Sequence, residues 1–248
     1  MRAMQPAQLK PQEIGLFLDV DGTLLDIAPR PEAVVVTDGL RRDLAAADHA
    51  LDGALALVSG RPVAELDRLF APLRLRASGV HGAEIRREAD GAVATVTADC
   101  LGPEAWQELT RVLDDFAGSY AENKKVSFAV HYPEPGTDVD TLEAALSQMM
   151  RRLGDRGAPL KLLAGRNVFE VQLRGFDKGR AIARFMDEPP FAGRIPVFIG
   201  DDDIDQAAFD AALALGGFAY SVGPTLPGLS GAFSGPDAVR SWLHGFSR

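Results

Sequence analysis

The sequence predicts an α/β protein in which a parallel-sheet core is interrupted by an inserted α+β domain. Two observations favour this fold class. Short, uninterrupted apolar blocks precede helical stretches near both ends of the chain, as at residues 14–20, 54–58 and 195–199. Such blocks are typical of strands buried on both faces of a parallel sheet. The middle of the chain instead has turn residues between short strand-like runs, which indicates hairpins and an antiparallel sheet.

The core elements alternate between strand and helix in both end segments. The first apolar block stops at an Asp-Gly pair, a helix is expected near residues 37–47, and Pro62 after the second block suits the first turn of another helix. The later core elements are helices near 178, 204–213 and 237–243 and strands at 195–199 and 218–222. This alternation predicts parallel strand pairing.

The middle segment predicts a separate domain. Asp90-Gly91 and residues 165–167 each separate two strand-like runs, and the first hairpin would pair 84–87 with 93–97. The other elements expected here are two helices and a strand, at 103–117, 138–153 and 126–132. We therefore expect a core of residues 1–82 and 175–248 and an inserted domain of residues 83–174.

The composition excludes several classes of partner. The chain has 248 residues and a formal net charge of −9, so its surface repels nucleic acid and anionic lipid. The single cysteine, Cys100, excludes an intrachain disulfide. We find neither a signal peptide in residues 1–12 nor a run of about 18 apolar residues, and we expect a cytoplasmic location without a membrane span.

Two carboxylates at the end of the first strand carry the strongest chemical signal. Asp19 and Asp21 are two residues apart, so in an extended chain both side chains point the same way. The carboxyl ends of parallel strands are where ligands bind in open α/β sheets. A polar turn that merely ends the strand is the alternative interpretation.

A second acidic cluster follows the strand at residues 195–199. Asp201, Asp202, Asp203 and Asp205 come directly after it. Close carboxylates repel one another unless a cation compensates them, and oxygen ligands favour magnesium (Mg²⁺) over zinc. Two such clusters at one sheet edge predict a magnesium site, although the later aspartates could instead cap a helix.

Two further motifs are suited to binding a phosphate. Ser59-Gly60-Arg61 offers a hydroxyl and backbone N–H groups at a helix N-terminus, where an ordinary capping serine is the alternative. Lys178 stands at another helix N-terminus, which is unfavourable for a cation unless it neutralises an anion.

Taken in order, these four motifs resemble the haloacid dehalogenase (HAD) superfamily of phosphotransferases, with its Rossmann-like core. The resemblance implies that Asp19 is the nucleophile that forms an aspartyl-phosphate and that Asp21 is the general acid and base. It also implies that Ser59, Gly60 and Lys178 bind the phosphate. Asp19, Asp201 and the main-chain carbonyl of Asp21 would hold Mg²⁺, with Asp202 and Asp205 in its outer shell.

The inserted segment narrows the resemblance to the trehalose-6-phosphate phosphatases, whose cap domain follows the second motif. The motifs that carry it are His81-Gly82-Ala83-Glu84, Glu122-Asn123-Lys124, His131-Tyr132, and Gly165-Arg166 with Glu170. The resemblance implies hydrolysis of trehalose 6-phosphate to trehalose and phosphate. The residues expected to bind substrate are Arg61, His81, Glu122, Lys124, His131, Arg166 and Glu170.

Departures from the family leave alternatives open. Pro133 stands where an arginine is usual, Ile204 where a threonine is usual and Gln206 where a glutamate is usual. The alternatives are a capped HAD phosphatase for sucrose phosphate or a hexose phosphate, a phosphomutase, and a non-catalytic sugar-phosphate-binding domain that regulates a partner. A functional link to a trehalose-phosphate synthase is also expected from the resemblance.

Overall fold

The computed structural model describes residues 10–27, 34–95, 101–124, 127–133, 135–154, 159–165 and 167–247. It divides into two compact units. The first unit is Met1–Ala94 with Asp177–Arg248, and the second is Thr95–Phe176. Among the described helices, none is long and apolar enough to cross a membrane.

The first unit is built on an eight-stranded sheet. Its strands in chain order are β1 (Ile14–Leu18), β2 (Leu55–Val58), β3 (Arg76–Gly79), β4 (Glu84–Arg86), β5 (Ala94–Thr95), β10 (Ile195–Gly200), β11 (Phe218–Val222) and β12 (Gly231–Phe233). The spatial order is β12-β11-β10-β1-β2-β3-β4-β5. The pairs from β12 to β3 are parallel, and β4 runs antiparallel to β3.

Among the described residues, five α-helices complete the core of the first unit. They are α1 (Asp38–Ala50), α2 (Val63–Phe70), α5 (Lys178–Met186), α6 (Gln206–Ala214) and α7 (Pro236–Leu243). Each buries apolar side chains in one cluster with the strands, such as Leu44 of α1 and Ile182 of α5. All five residues of β1 are buried, which explains why its sequence is apolar without alternation.

In the part of the second unit that the structure describes, a four-stranded antiparallel sheet packs with two helices. The strands β6 (Tyr120–Asn123), β7 (Ser127–His131), β8 (Leu160–Gly165) and β9 (Val168–Leu173) lie in the order β6-β7-β9-β8. Helices α3 (Pro103–Leu113) and α4 (Val139–Gly154) share its apolar core with every second strand residue, including Phe128, Val130 and Phe169. The intervening side chains of β7 and β9 point to the other face.

The structure confirms the predicted fold class, but the two units divide at a different place from the one expected. The first predicted hairpin contributes β4 to the large sheet, so residues 83–94 lie with the first unit. Hydrogen bonds of two residues explain this. Arg86 donates to the carbonyl of Leu75 and to Asp67, and Glu84 accepts the N–H of Val63 at the start of α2.

Replacement of Arg86 tests this attachment of β4. Arg86 is 1% exposed, so Arg86→Met leaves a buried carbonyl without its donor and should lower the free energy of unfolding by about 2–3 kcal/mol. The neighbouring Arg87 forms an exposed pair with Glu188, and Arg87→Met should change it by less than about 0.5 kcal/mol. Urea denaturation followed by circular dichroism measures both. Equal effects would contradict the buried role of Arg86.

Candidate active site

Three neighbouring strands bring the predicted motifs of the core to one edge of the large sheet. Leu18, the last residue of β1, is in register with Ile199 of β10 and Leu57 of β2. Asp19, Asp201 and Ser59 follow soon after these residues. Carboxylate oxygens of Asp19, Asp201 and Asp205 lie within 4.8 Å of one another among the described residues. The sequence-predicted acidic clusters therefore form a single site.

A buried lysine joins two of these carboxylates. Lys178 Nζ donates to Asp19 Oδ1 at 2.6 Å and to Asp205 Oδ1 at 2.5 Å, and the residue is 4% exposed. Burial opposes its charge, but Asp19 and Asp205 outweigh that effect and raise the pKa of Lys178. Asp177 caps α5 by accepting the N–H of Arg180, so the lysine enters the site from the first position of the helix.

The burial and clustering of the carboxylates make ionisation of Asp19 unfavourable. Burial raises its pKa well above the ordinary value, and Asp205 and Asp201 raise it further, while Lys178 acts in the opposite direction. One ammonium thus does not compensate the three carboxylates. A cluster of hard oxygen ligands with uncompensated negative charge fits a divalent cation such as Mg²⁺.

Asp205 holds the loop that carries Asp201. Its Oδ2 accepts the backbone N–H groups of Asp201 at 3.0 Å and Asp202 at 3.3 Å, while Oδ1 faces Lys178. Both oxygens of Asp205 are therefore occupied by protein donors. This favours an organising position for Asp205 and a more accessible one for Asp201, which is half-buried.

The turn after Asp21 must carry a glycine. Gly22 has φ +79°, and its N–H donates to the carbonyl of Leu25 at 2.8 Å. A Cβ at this position would overlap the carboxylate of Asp201. The glycine therefore allows both the left-handed turn and the close approach of the Asp201 side chain.

Arg61, which is expected to bind substrate, forms a bidentate contact with Asp21. Its Nε and Nη2 donate to the two Asp21 oxygens at 2.7 and 2.8 Å, and Nη1 donates to Glu65 at 2.6 Å. Burial disfavours the charge of Arg61, but Asp21 and Glu65 outweigh burial and raise its pKa. Sequence reasoning missed Glu65, although its place four residues after Arg61 at the start of a helix was visible.

A strained segment supports the Ser59 loop. Val80 and His81 have φ +46° and +50°, which is unfavourable for both and especially for a β-branched residue. Their N–H groups donate to the carbonyls of Arg61 and Ser59 at 3.1 and 3.0 Å. A Cβ at Gly60 would lie 2.6 Å from His81 Nε2, so the imidazole fits only because residue 60 is glycine. His81 thus contacts the loop expected to bind phosphate.

Residues predicted to bind the sugar lie on one face of the second unit's sheet. Glu122, Ala129 and Glu170 are in register across three strands. Lys124 Nζ donates to Glu170 Oε1 at 2.6 Å. His131 Nε2 lies 3.6 Å from Glu122 Oε2, and the interaction with this imidazole is the main cause that lowers the pKa of Glu122.

The same face includes polar side chains that sequence reasoning missed. Ser127 and Gln172 are buried and in register, and Tyr120 stacks on His131 with ring centroids 4.7 Å apart. Continuing the two-residue period of a strand from Glu170 would have reached Gln172. Two residues named from the sequence, Arg166 and Cys100, lie outside the described residues.

Known proteins are similar to this chain in sequence and in fold. A family model described as trehalose-phosphatase matches residues 17–223. The Escherichia coli (strain K12) trehalose-6-phosphate phosphatase is 40% identical over 228 residues, which cover 92% of this chain and 84% of that protein. The C-terminal domain of C. albicans trehalose-6-phosphate phosphatase superposes with a TM-score of 0.78 at 20% identity, covering 95% of this chain and 93% of that one. A Bacteroides thetaiotaomicron phosphatase of the haloalkanoate (HAD) superfamily gives 0.62 at 17% identity and covers 98% of both chains.

The fold, with its parallel sheet and second antiparallel sheet, is that of the HAD phosphatases. The family match and the 40% identity are more specific than the fold. This chain belongs to the trehalose-phosphatase family, a family of phosphoric monoester hydrolases, which confirms the resemblance seen in the sequence.

The raised pKa of Asp19 predicts that its charge destabilises the metal-free protein. The folded state holds the Asp19 proton to higher pH than the unfolded state does, so this contribution to stability is present at low pH and is lost as pH rises above about 4. With chelator present, Asp19→Asn should therefore raise the free energy of unfolding at pH 7. The gain should shrink towards pH 4.

Urea denaturation across this pH range measures the effect. Asp210→Asn, at an exposed position on α6, is the matched control and should show little change at any pH. An Asp19→Asn protein that is less stable than the wild type at every pH would contradict the electrostatic account.

Proposed function

We propose that this protein hydrolyses trehalose 6-phosphate to trehalose and inorganic phosphate through an aspartyl-phosphate on Asp19. The observation that carries the proposal is the buried contact of Asp19 with Lys178, beside Asp201 and Asp205, in a chain of the trehalose-phosphatase family. A carboxylate at a strand end, next to a cation, is suited to attack phosphorus and divide hydrolysis into two steps.

In the first step an Asp19 oxygen forms a bond to phosphorus, and the bond from phosphorus to the sugar oxygen breaks. Asp21 gives a proton to that departing oxygen. In the second step Asp21 takes a proton from water as the water oxygen attacks phosphorus, which frees Asp19 and releases phosphate. The two-residue spacing of Asp19 and Asp21 places both carboxylates near one sheet edge.

The phosphate would be bound by the Ser59 hydroxyl, the Gly60 N–H and the Lys178 ammonium. Lys178 already neutralises part of the charge on Asp19 and would do the same for phosphate oxygens. This binding lowers the repulsion between an anionic nucleophile and an anionic substrate.

The residues we assign to hold Mg²⁺ are Asp19, Asp201 and the main-chain carbonyl of Asp21. When bound, the ion supplies positive charge that the three clustered carboxylates lack and that a phosphoryl group requires. Asp202 and Asp205 would form the outer shell, which agrees with the hydrogen bonds that occupy both Asp205 oxygens.

We assign sugar recognition to the second unit, acting as a cap domain. Carboxylates accept hydrogen bonds from sugar hydroxyls and lysine donates to them, so Glu122, Lys124 and Glu170 are chemically suitable. His131 lies beside Glu122 on the same face. Participation of His81 and Arg166, a cytoplasmic location and a link to a trehalose-phosphate synthase stay predictions.

A phosphate-release screen tests the reaction and its nucleophile. Trehalose 6-phosphate should be a better substrate than sucrose 6-phosphate, glucose 6-phosphate or an aryl phosphate. Chelator should abolish release, Mg²⁺ should restore it, and Ca²⁺ should do so poorly because its coordination is looser.

Asp19→Asn should lower activity roughly 10⁴-fold or more. Full activity in chelator, with negligible metal content, or near-wild-type turnover of a folded Asp19→Asn protein would contradict the assignment.

Substitutions in the second unit test sugar recognition. Lys124→Ala and Glu170→Ala each remove a charged hydrogen-bonding partner and should lower kcat/KM for trehalose 6-phosphate about 10- to 100-fold. An aryl phosphate, which has no sugar to bind, should lose little. Arg152→Ala removes a charge that faces Glu108 on the helices of the same unit and is the control. Equal losses on both substrates would show that these residues are structural.

A further inference from the structure

The guanidinium of Arg61 is shared between two carboxylates. Nε and Nη2 donate to the two oxygens of Asp21, while Nη1 donates to Oε1 of Glu65. The Arg61 side chain is 8% exposed, whereas that of Asp21 is 40% exposed. A planar, bidentate contact of this kind fixes the plane of the carboxylate that it meets. Arg61 therefore orients a carboxylate that water can otherwise reach.

Arg61 is itself held at both its backbone and its side chain. Its N–H donates to Ser59 Oγ at 3.1 Å, and its carbonyl accepts the N–H of Val80 at 3.1 Å. The guanidinium meets Glu65, which lies in the first turn of α2. The Ser59 loop thus fixes the backbone position of Arg61, and Glu65 sets the direction in which the Arg61 guanidinium lies.

We propose that Glu65 is a positioning residue for the acid–base group, acting through Arg61 on the orientation of Asp21. The inference rests on the proposed function, in which Asp21 moves protons to the sugar oxygen and from water. An Arg61–Asp21 contact uses one lone pair on each carboxylate oxygen, and each oxygen has a second lone pair that can face a reacting group. Glu65 thereby controls the direction in which those remaining lone pairs point.

A purely structural role for Glu65 makes different predictions. An acidic residue in the first turn stabilises a helix through its charge, and that effect is independent of Asp21. A positioning role instead vanishes when Asp21 can no longer transfer protons. It also depends on the hydrogen bond to Nη1, which a glutamine can still accept, more than on the charge of Glu65.

The experiment compares Glu65→Ala and Glu65→Gln in the wild type and in an Asp21→Asn background, with trehalose 6-phosphate and 4-nitrophenyl phosphate as substrates. The control is Arg68→Ala, because Arg68 is an exposed residue that lies 3.7 Å from Glu65. Solvent exchange of the Arg61 Nε–H, identified by the NMR signal that Arg61→Lys removes, is a readout that needs no turnover.

Glu65→Ala should lower kcat for trehalose 6-phosphate about 10-fold and for the aryl phosphate less, because the better leaving group needs less protonation. Glu65→Gln should recover most of this loss, and Arg68→Ala should stay within about twofold. In the Asp21→Asn background, Glu65→Ala should cost no more than about a further twofold. Exchange of the Arg61 Nε–H should become faster in Glu65→Ala.

Two results would overturn the positioning role. One is a loss of the same size on both substrates that persists in the Asp21→Asn background. The other is unchanged exchange of the Arg61 Nε–H in Glu65→Ala. If the wild type releases no phosphate from trehalose 6-phosphate, the proposed function fails, and the exchange measurement still decides whether Glu65 holds Arg61.

Discussion

The site depends on the contact of the buried Lys178 ammonium with Asp19 and Asp205. Parallel pairing of β10 with β1 places the end of each strand beside the other, so Asp19 and the 201–205 loop meet in a buried place. Without a cation, three carboxylates there would be strongly unfavourable. Lys178 reaches them from the N-terminus of α5, where its charge opposes the helix dipole. Its two short hydrogen bonds outweigh that local cost.

Lys178 only partly compensates the charge of the clustered carboxylates, and this incomplete compensation favours the proposed chemistry. Burial above all, and then Asp205 and Asp201, still raise the pKa of Asp19, which means that the Lys178 ammonium does not fully offset the cost of ionising this carboxylate beside two others. A site in this condition favours binding of a divalent cation, because the ion gains more there than a neutral site would offer. The same arrangement that destabilises the metal-free protein therefore supports the proposed phosphoryl transfer.

The acid–base side of the site is organised by separate contacts. Arg61 and Glu65 form a chain of hydrogen bonds that ends on Asp21. Val80 and His81, which have left-handed backbone conformations, donate hydrogen bonds to the Ser59 loop that contains Arg61. Backbone strain of this kind persists where the surrounding structure compensates it. Here the strained residues hydrogen-bond to the loop that carries the groups assigned to phosphate binding and proton transfer.

The sequence by itself determined the fold class and the acidic, lysine and serine motifs of the core, because these depend on local signals. Apolar blocks without alternation indicate buried parallel strands, and the polar residues directly after them lie at the carboxyl edge of the sheet. The tertiary structure decided the contacts between residues distant in sequence. These include Arg61 with Asp21, the attachment of β4 through Arg86, and the register that aligns Glu122 with Glu170. Such contacts depend on how strands pair and helices pack, and no local pattern of residues encodes which side chains those steps bring within hydrogen-bonding distance.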